Sequence, residues 1–347
     1  MRPVWRQTRE STPSAKARPS EVSERRPFGA ARRELMRLAV ALLLWASSSA
    51  AWADGGIAVY TSGQGDVYKE VVNAMTTELR KAPGQRVVVG AAGSDRLEDV
   101  LASAGQTTTA GGALIVTVGA NATRLVLEHA DLRTPVLAIL LPRTTFEALQ
   151  RSARTAHGRR ATAVFLDQPL PRQLDLIRIA LPKAQRIGTI TSLEGGVEPE
   201  RLRALAESRQ LTLKAEGVER ETELYPALER ALADADAFLA IPDARVINSA
   251  TAQNVLLTSF RLRVPVVGYS AAYVRAGALL AVYSSPAQIG TEAGELARAA
   301  ARGVALGAPK YPRYFSVAVN QQVARALGLA IDDEAALRER LQRLERE

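Results

Sequence analysis

The run Ile57-Ala58-Val59-Tyr60-Thr61 leads into Ser62-Gly63-Gln64-Gly65 and then into a helical segment from Asp66 to Lys81. A short β-branched run, a Gly/Ser turn and apolar residues at Val67, Val71, Ala74, Met75 and Leu79 spell strand, loop and a helix with one apolar stripe. The same grammar continues outward. Further strands are expected at Arg86 to Val89, Ala113 to Val118, Pro135 to Leu140 and Thr162 to Leu166, with helices at Asp95 to Ala104, Ala122 to His129 and Thr145 to Arg154. Asp95 would serve as N-cap or first-turn acid of its helix.

The second half repeats the pattern. Strands are expected at Arg186 to Thr191, Leu211 to Val218, Ala237 to Ile241, Val264 to Gly268 and Leu279 to Tyr283. Helices are expected at Pro171 to Leu181, Pro199 to Arg209, Glu223 to Ala233, Ile247 to Leu262 and Pro286 to Gly303. Strands alternating with helices imply parallel sheets covered on both faces. The fold class is therefore α/β, with two doubly wound parallel-sheet lobes in tandem, and the cleft between lobes is the default binding site.

The chain before Ile57 has a different character. Glu10 to Pro27 is polar, charged and without an apolar period, which reads as a disordered leader. Arg32, Arg33 and Arg37 then precede the apolar run Leu38 to Ala46, and small residues end in Ala51-Trp52-Ala53. That order is a secretory signal, with cleavage expected after Ala53 and the mature chain in the periplasm. Nine apolar residues reach about 14 Å as helix, far short of a bilayer. Translation from Met36 would leave an ordinary signal, whereas Arg32-Arg33-Glu34-Leu35-Met36-Arg37 also resembles a twin-arginine signal. Trp5, Trp45 and Trp52 all fall in the removed part.

Composition narrows the function. Of the 347 residues, those up to Ala53 hold ten Lys/Arg against four Asp/Glu, so the +9 of the whole chain falls to +3, 35 against 32, for the remainder. With no basic stripe left, a nucleic-acid partner is not expected. Cys is absent, which excludes disulfides, thiolate metal sites and a Cys nucleophile. His129 and His157 are the only histidines, too few for a multi-histidine metal centre, and neither falls at an expected strand end where Ser/His/Asp chemistry would need it. Only Asp243 sits clearly at a strand end, so paired-carboxylate hydrolysis is also disfavoured. No catalytic residue, metal or cofactor is expected, and binding without turnover fits better. The 47% of hydrophobic residues supports a sizeable core.

The strand-end loops carry the candidate ligand contacts. Thr61-Ser62-Gly63-Gln64-Gly65, Gly90-Ala91-Ala92-Gly93-Ser94 and Gly119-Ala120-Asn121-Ala122-Thr123 each open a helix, whose unpaired N–H groups suit a carboxylate or phosphate. Gly and Ser are also ordinary turn residues. Neither a dinucleotide fingerprint nor a phosphate loop is present. From the second half come Asp243, which either pairs with a ligand amine or caps the next helix, and Tyr269, Ser270, Tyr273 and Tyr283, which offer apolar rings with hydroxyls. The expected ligand-binding residues are Thr61, Ser62, Gly119, Ala120, Asn121, Ala122, Thr123, Asp243, Tyr269, Ser270 and Tyr283. Arg143, Arg159 and Arg160 either line the opening or solvate a surface.

Several stretches, in order, carry a resemblance: Leu114-Ile115-Val116-Thr117-Val118-Gly119; Pro169-Leu170-Pro171-Arg172-Gln173-Leu174-Asp175-Leu176-Ile177 with Leu181-Pro182-Lys183-Ala184-Gln185-Arg186-Ile187-Gly188; Ala237-Phe238-Leu239-Ala240-Ile241-Pro242-Asp243; Arg263-Val264-Pro265-Val266-Val267-Gly268 through Gly277-Ala278; and Val319-Asn320-Gln321-Gln322-Val323-Ala324-Arg325-Ala326-Leu327-Gly328-Leu329. They span roughly Ile57 to Ile331, and the chain resembles ABC-transporter substrate-binding proteins of the type I periplasmic-binding fold. The resemblance implies two lobes joined by three crossings near Leu166, Ser285 and Tyr311. One lobe would comprise residues 54–166 and 285–310, the other 167–284 and 311–347. It also implies an amino acid or similar carboxylate held by backbone N–H groups of Gly119 to Thr123, with an inner-membrane permease as partner. Where relatives commonly carry Asp-Pro and then Pro-Gly-x-Asn, this chain has Leu141-Pro142-Arg143-Thr144-Thr145 and His157-Gly158-Arg159-Arg160. An exported accessory or sensory protein with a degenerate cleft and a protein partner is the alternative. A sugar-responsive repressor of this architecture would need a helix-turn-helix where the signal-like segment lies.

Overall fold

Every residue of β1 (Ile57–Thr61) is buried, as a central strand flanked on both edges and covered on both faces requires. The structure is a computed structural model and describes residues 56–81, 84–105, 114–129, 134–153, 161–192, 198–243, 246–248 and 250–346. The expected leader, signal and cleavage point lie outside those residues, as do His157, Arg159 and Arg160. Around β1 run β2 (Val87–Ala91), β3 (Leu114–Val118), β4 (Val136–Ile139) and β5 (Ala161–Val164), all parallel, in the order β2-β1-β3-β4-β5.

Alternation along β1 sorts the layers. Ile57 and Val59 face α1 (Asp66–Leu79) and α10 (Pro286–Ala301), whereas Ala58 and Tyr60 face α2 (Leu97–Ser103) and α3 (Ala120–Glu128). A smaller cluster holds α4 (Arg143–Ser152) through Phe146, packed with Phe165. The stripe of α1 turns in Val71, Met75 and Leu79 and leaves Val67 exposed.

The second sheet has the order β11-β10-β9-β8-β6-β7: β6 (Arg186–Ser192), β7 (Thr212–Val218), β8 (Ala237–Leu239), β9 (Val266–Gly268), β10 (Leu280–Tyr283) and β11 (Ser316–Val319). One face carries α5 (Leu170–Ala180), α6 (Pro199–Glu207), α11 (Gln321–Leu327) and α12 (Glu334–Leu344); the other carries α7 (Leu224–Leu232), α8 (Ala252–Arg261) and α9 (Ala271–Arg275). Two doubly wound α/β sheets in tandem is therefore the fold class.

Three details correct the sequence reading. β11 pairs antiparallel with β10, so the second sheet is mixed, and a four-residue strand at the edge offers too little pattern to read. Asp95 lies before its helix, not at the cap: Arg96 is the N-cap, and the Asp95 carboxylate accepts from Ala91 N (2.8 Å) and Ser94 Oγ (2.8 Å), closing the turn instead. Helix α8 begins at Ala252, because Ile247 turns back to exchange two backbone hydrogen bonds with Asp243.

The helix after β10 does not stay with its own sheet. α10 leaves the second sheet and lies along α1 on the first, where Gly290 and Gly294 allow the two backbones to meet. A Cβ on Gly290 would fall 2.3 Å from Val71 O, and one on Gly294 would fall 2.7 Å from Met75 O. Gly290→Ala is therefore expected to destabilise the protein by about 1–3 kcal/mol, since the clash is with backbone and overrides a helix-propensity gain of about 1 kcal/mol. Chemical denaturation checks this against Gly307→Ala, whose Cβ meets nothing within 4 Å; equal stability of the two variants would refute close helix packing.

Candidate functional site

The chain passes between the sheets three times, and the three passages are stitched together by side chains. The first, Phe165 to Pro169, follows β5; the second, at Ser284 and Ser285, follows β10; the third runs from Lys310 to Phe315 into β11. Lys310 bridges Val164 in parallel register, with Phe165 N donating to Lys310 O at 2.9 Å. Gln168 Nε2 donates to Ser284 Oγ (2.9 Å), which donates onward to Tyr314 O (2.5 Å). Gln168 Oε1 accepts from Arg172 Nη1 (2.7 Å), which also reaches Pro312 O (3.0 Å). The Arg172 guanidinium is buried, stacks 4.2 Å from the Phe315 ring centroid and pairs through Nε and Nη2 with the Glu345 carboxylate at the end of α12.

Beside these passages lies a cleft of about 440 Å³. From the first sheet it is lined by Pro142, Arg143 and Thr144, at the β4 to α4 turn. From the second sheet come Arg201 and Leu205 on α6 and the strand ends Ile241-Pro242, Tyr269-Ser270 and Val282-Tyr283-Ser284. The floor is the passages themselves, Leu166 to Pro169 with Tyr311, and the first residues of α5, including Gln173. Such a mainly apolar cleft with a few converging polar groups at strand carboxyl ends suits a small organic ligand.

The polar groups are poised differently. Burial raises the pKa of the Tyr269, Tyr283 and Tyr311 phenols, so at neutral pH each is a hydroxyl able to donate. The Tyr269 ring lies 4.9 Å from that of Tyr273, which is buried behind it and does not line the cleft. Ser270 is the N-cap of α9 and accepts from Tyr273 N. Gln173 Nε2 donates to Gln168 O, and its buried Oε1 has no partner among the described residues. Asp167 Oδ2 accepts from Arg143 N (2.7 Å) and so caps α4 from the first passage; burial raises its pKa against the opposing pull of that bond and of the Arg143 charge.

Of the residues expected from sequence, Tyr269, Ser270 and Tyr283 line this cleft. The others do not. Thr61, Ser62 and Gly119 to Thr123 gather at the carboxyl edge of the first sheet and largely bond one another. Thr61 Oγ1 donates to Gly63 O, Ser62 Oγ takes the Ala122 N–H at 2.9 Å, and Thr123 Oγ1 donates to Gly119 O. Gly119 sits at φ +91, where a Cβ would strike Ser62 Oγ at 2.6 Å. Ala120 and Asn121 remain exposed there. Asp243 accepts from Ser192 Oγ (2.6 Å) and N (3.1 Å) and from Val246 N, tying β6 to the turn before α8 instead of capping that helix. Arg143 does line the cleft, as do Leu166 and Tyr311, expected only as crossing points, and Asp167, Gln168, Gln173 and Arg201, which no local pattern marks because they meet only when three distant segments come together.

Residues 68–340 match the family model described as ABC transporter substrate binding protein. Among solved structures, the chain is similar to the ABC domain in complex with L-Trp from Streptococcus pneumonia, at 19% identity and TM-score 0.53, over 81% of this chain and 96% of that one. It is similar also to the ligand-free, open form of a substrate binding protein with adhesive properties from Clostridium difficile, at 15% identity and TM-score 0.61, over 80% and 96%. A conserved domain protein from Vibrio cholerae matches at 16% identity and TM-score 0.53, over 83% and 98%. No curated protein matches.

The raised pKa of Asp167 has a definite sign for stability. The folded state binds this proton more tightly than the unfolded chain, so stability falls as pH rises from the unfolded value through the folded one. Asp167→Asn keeps an acceptor for Arg143 N–H and removes the buried charge. The variant is expected to melt at or above the parent temperature at pH 7, the difference vanishing in acid; a lower melting temperature at pH 7 would contradict the reading.

Proposed function

The chain belongs to the family of ABC transporter substrate-binding proteins, and from that premise we propose that it is an exported receptor that closes two lobes around a small polar ligand, an amino acid or similar carboxylate, without chemical turnover. The observation that carries the proposal is the cleft at the three passages, lined from both sheets at once. A ligand shifts a conformational equilibrium only by its differential affinity for the two states, so it has to touch groups that approach one another on closing.

The lobes in this reading are residues 54–166 with 285–310 and residues 167–284 with 311–347. The packing of α10 on the first sheet and of α12 on the second supports that division. Tyr269, Ser270 and Tyr283 are contacts in the cleft. Thr61, Ser62 and the Gly119 to Thr123 turn would meet the ligand from the first lobe as it closes, with Asp243 opposite. The L-Trp bound by the Streptococcus pneumonia domain supports an amino acid, and the tyrosine-lined walls favour one with an apolar side chain. Export through the signal ending at Ala53 would place the mature protein in the periplasm, facing an inner-membrane permease. Among the described residues no helix is long and apolar enough to cross a membrane.

A chain beginning at Asp54, purified without refolding, is expected to carry a small molecule visible in native mass spectrometry. Readdition of that molecule at about 100 times its Kd should stabilise the fold by about 2.7 kcal/mol, read as a higher melting temperature. An empty protein whose melting is unmoved by amino acids and organic acids at millimolar concentration would refute the proposal.

A further inference from the structure

The sequence leaves the role of Arg143 open, and Arg201 draws no attention in it. In the fold they face the same cleft from opposite sides, Arg143 from the first turn of α4 on the first sheet and Arg201 from α6 on the second. We propose that Arg143 and Arg201 form a two-lobe clamp for the anionic group of the ligand, so that the cleft selects molecules joining an anion, such as a carboxylate, to an apolar body. This deepens the receptor reading and rests on it.

The charges in the cleft argue for an anion. Its lining holds two guanidiniums and a single carboxylate, Asp167, which already caps α4 through Arg143 N. Among the described residues Arg143 forms one ion pair, with Glu147 at 3.3 Å, an i,i+4 contact between solvent-accessible groups that is easily exchanged, and its charge also acts on Asp167. Arg201 has no ion-pair partner among the described residues, and the acids next to it in sequence, Glu198 and Glu200, lie at the start of its own helix. Glu200 is bonded to Arg203 instead. Burial raises the pKa of Tyr311, which lines the same cleft, and the charges of Arg143 and Arg201 oppose that rise. Tyr269, Tyr283, Ile241 and Val282, at the strand ends of the second sheet, supply the apolar remainder.

With Asp167 as the one carboxylate in the lining, two guanidiniums leave the cleft with an excess of positive charge that an anion between them would offset. Each planar guanidinium offers paired donors that match a carboxylate. An anion touching both is bound better closed than open, which is the differential affinity that a hinge requires. A neutral isostere would lack it.

Isothermal titration with matched pairs tests the clamp: 3-phenylpropionate against 3-phenylpropionamide, indole-3-acetate against indole-3-acetamide, and L-tryptophan against L-tryptophanamide. The parent protein is expected to bind at least one acid about tenfold or more tighter than its amide. Arg201→Gln should erase that preference while leaving the melting temperature unchanged, Arg201→Lys should restore part of it, and Arg143→Gln should lower it without uncapping α4, because that bond uses the backbone. Acid affinity should also fall as salt rises. If an acid and its amide bind alike, or if Arg201→Gln leaves the preference intact, the clamp is overturned and the receptor reading stands. If no member of any pair binds but the protein still carries a neutral molecule from purification, the clamp alone fails. If nothing binds and nothing is carried, both fail.

Discussion

Three stretches of chain must cross between two separately cored sheets, and the polar groups at their meeting point have to be satisfied away from water. An orphaned buried donor or acceptor costs about 1–3 kcal/mol, and several would meet here. The fold answers with one connected network. Gln168 reaches from the first passage to Ser284 on the second, Ser284 reaches Tyr314 O on the third, and Arg172 returns from Pro312 O to Gln168. Gln288, which completes the capping box of α10 with Ser285, adds a bond to Ser316 Oγ. In a low-dielectric site such a paired network specifies one arrangement strongly; Gln173 Oε1, beside it, is a buried acceptor left without a partner among the described residues.

That constraint explains why the cleft is where it is. The passages leave from the carboxyl ends of β5 and β10, so the strand-end loops beside them line one opening from both sheets. The two sheets have separate cores: Ile57, Val116 and Leu137 pack with α1 and α10, whereas Ile187, Leu239 and Leu280 pack with α5, α6 and α12. In the proposed receptor, closure would bend the chain at the short segments near Gln168, Ser284 and Tyr311, against which the ligand would sit. The positions of Asp167, Arg143 and Tyr311 at the same place couple the electrostatics of the cleft to the geometry of the passages.

Much of this was legible in the sequence. The apolar runs at Ile57 and Leu114 and the period of α1 gave the alternation of strand and helix, because buried parallel strands and one-striped helices leave strong local patterns. What escaped was short, weakly striped or non-local. α9 has five residues, and α12 buries only Leu337 and Leu341 within a highly charged segment. Ser62, Thr61 and the Gly119 turn have the composition of either ligand contacts or ordinary turns, and only the fold shows the Ser62 hydroxyl paired with the Ala122 amide across 60 residues of sequence. Tyr269, Ser270 and Tyr283 were legible as cleft-lining residues because strand carboxyl ends are predictable. Gln168, Gln173 and Arg201 were not, since no local pattern marks a residue whose partners arrive from separate parts of the chain.

The central claim is that the three stitched passages act as a hinge between two rigid halves. Small-angle X-ray scattering on the chain from Asp54, alone and saturated with the molecule recovered from native purification, tests it most directly. The account predicts a smaller radius of gyration and loss of the longest interatomic distances on saturation. An identical scattering curve at proven saturation would contradict it.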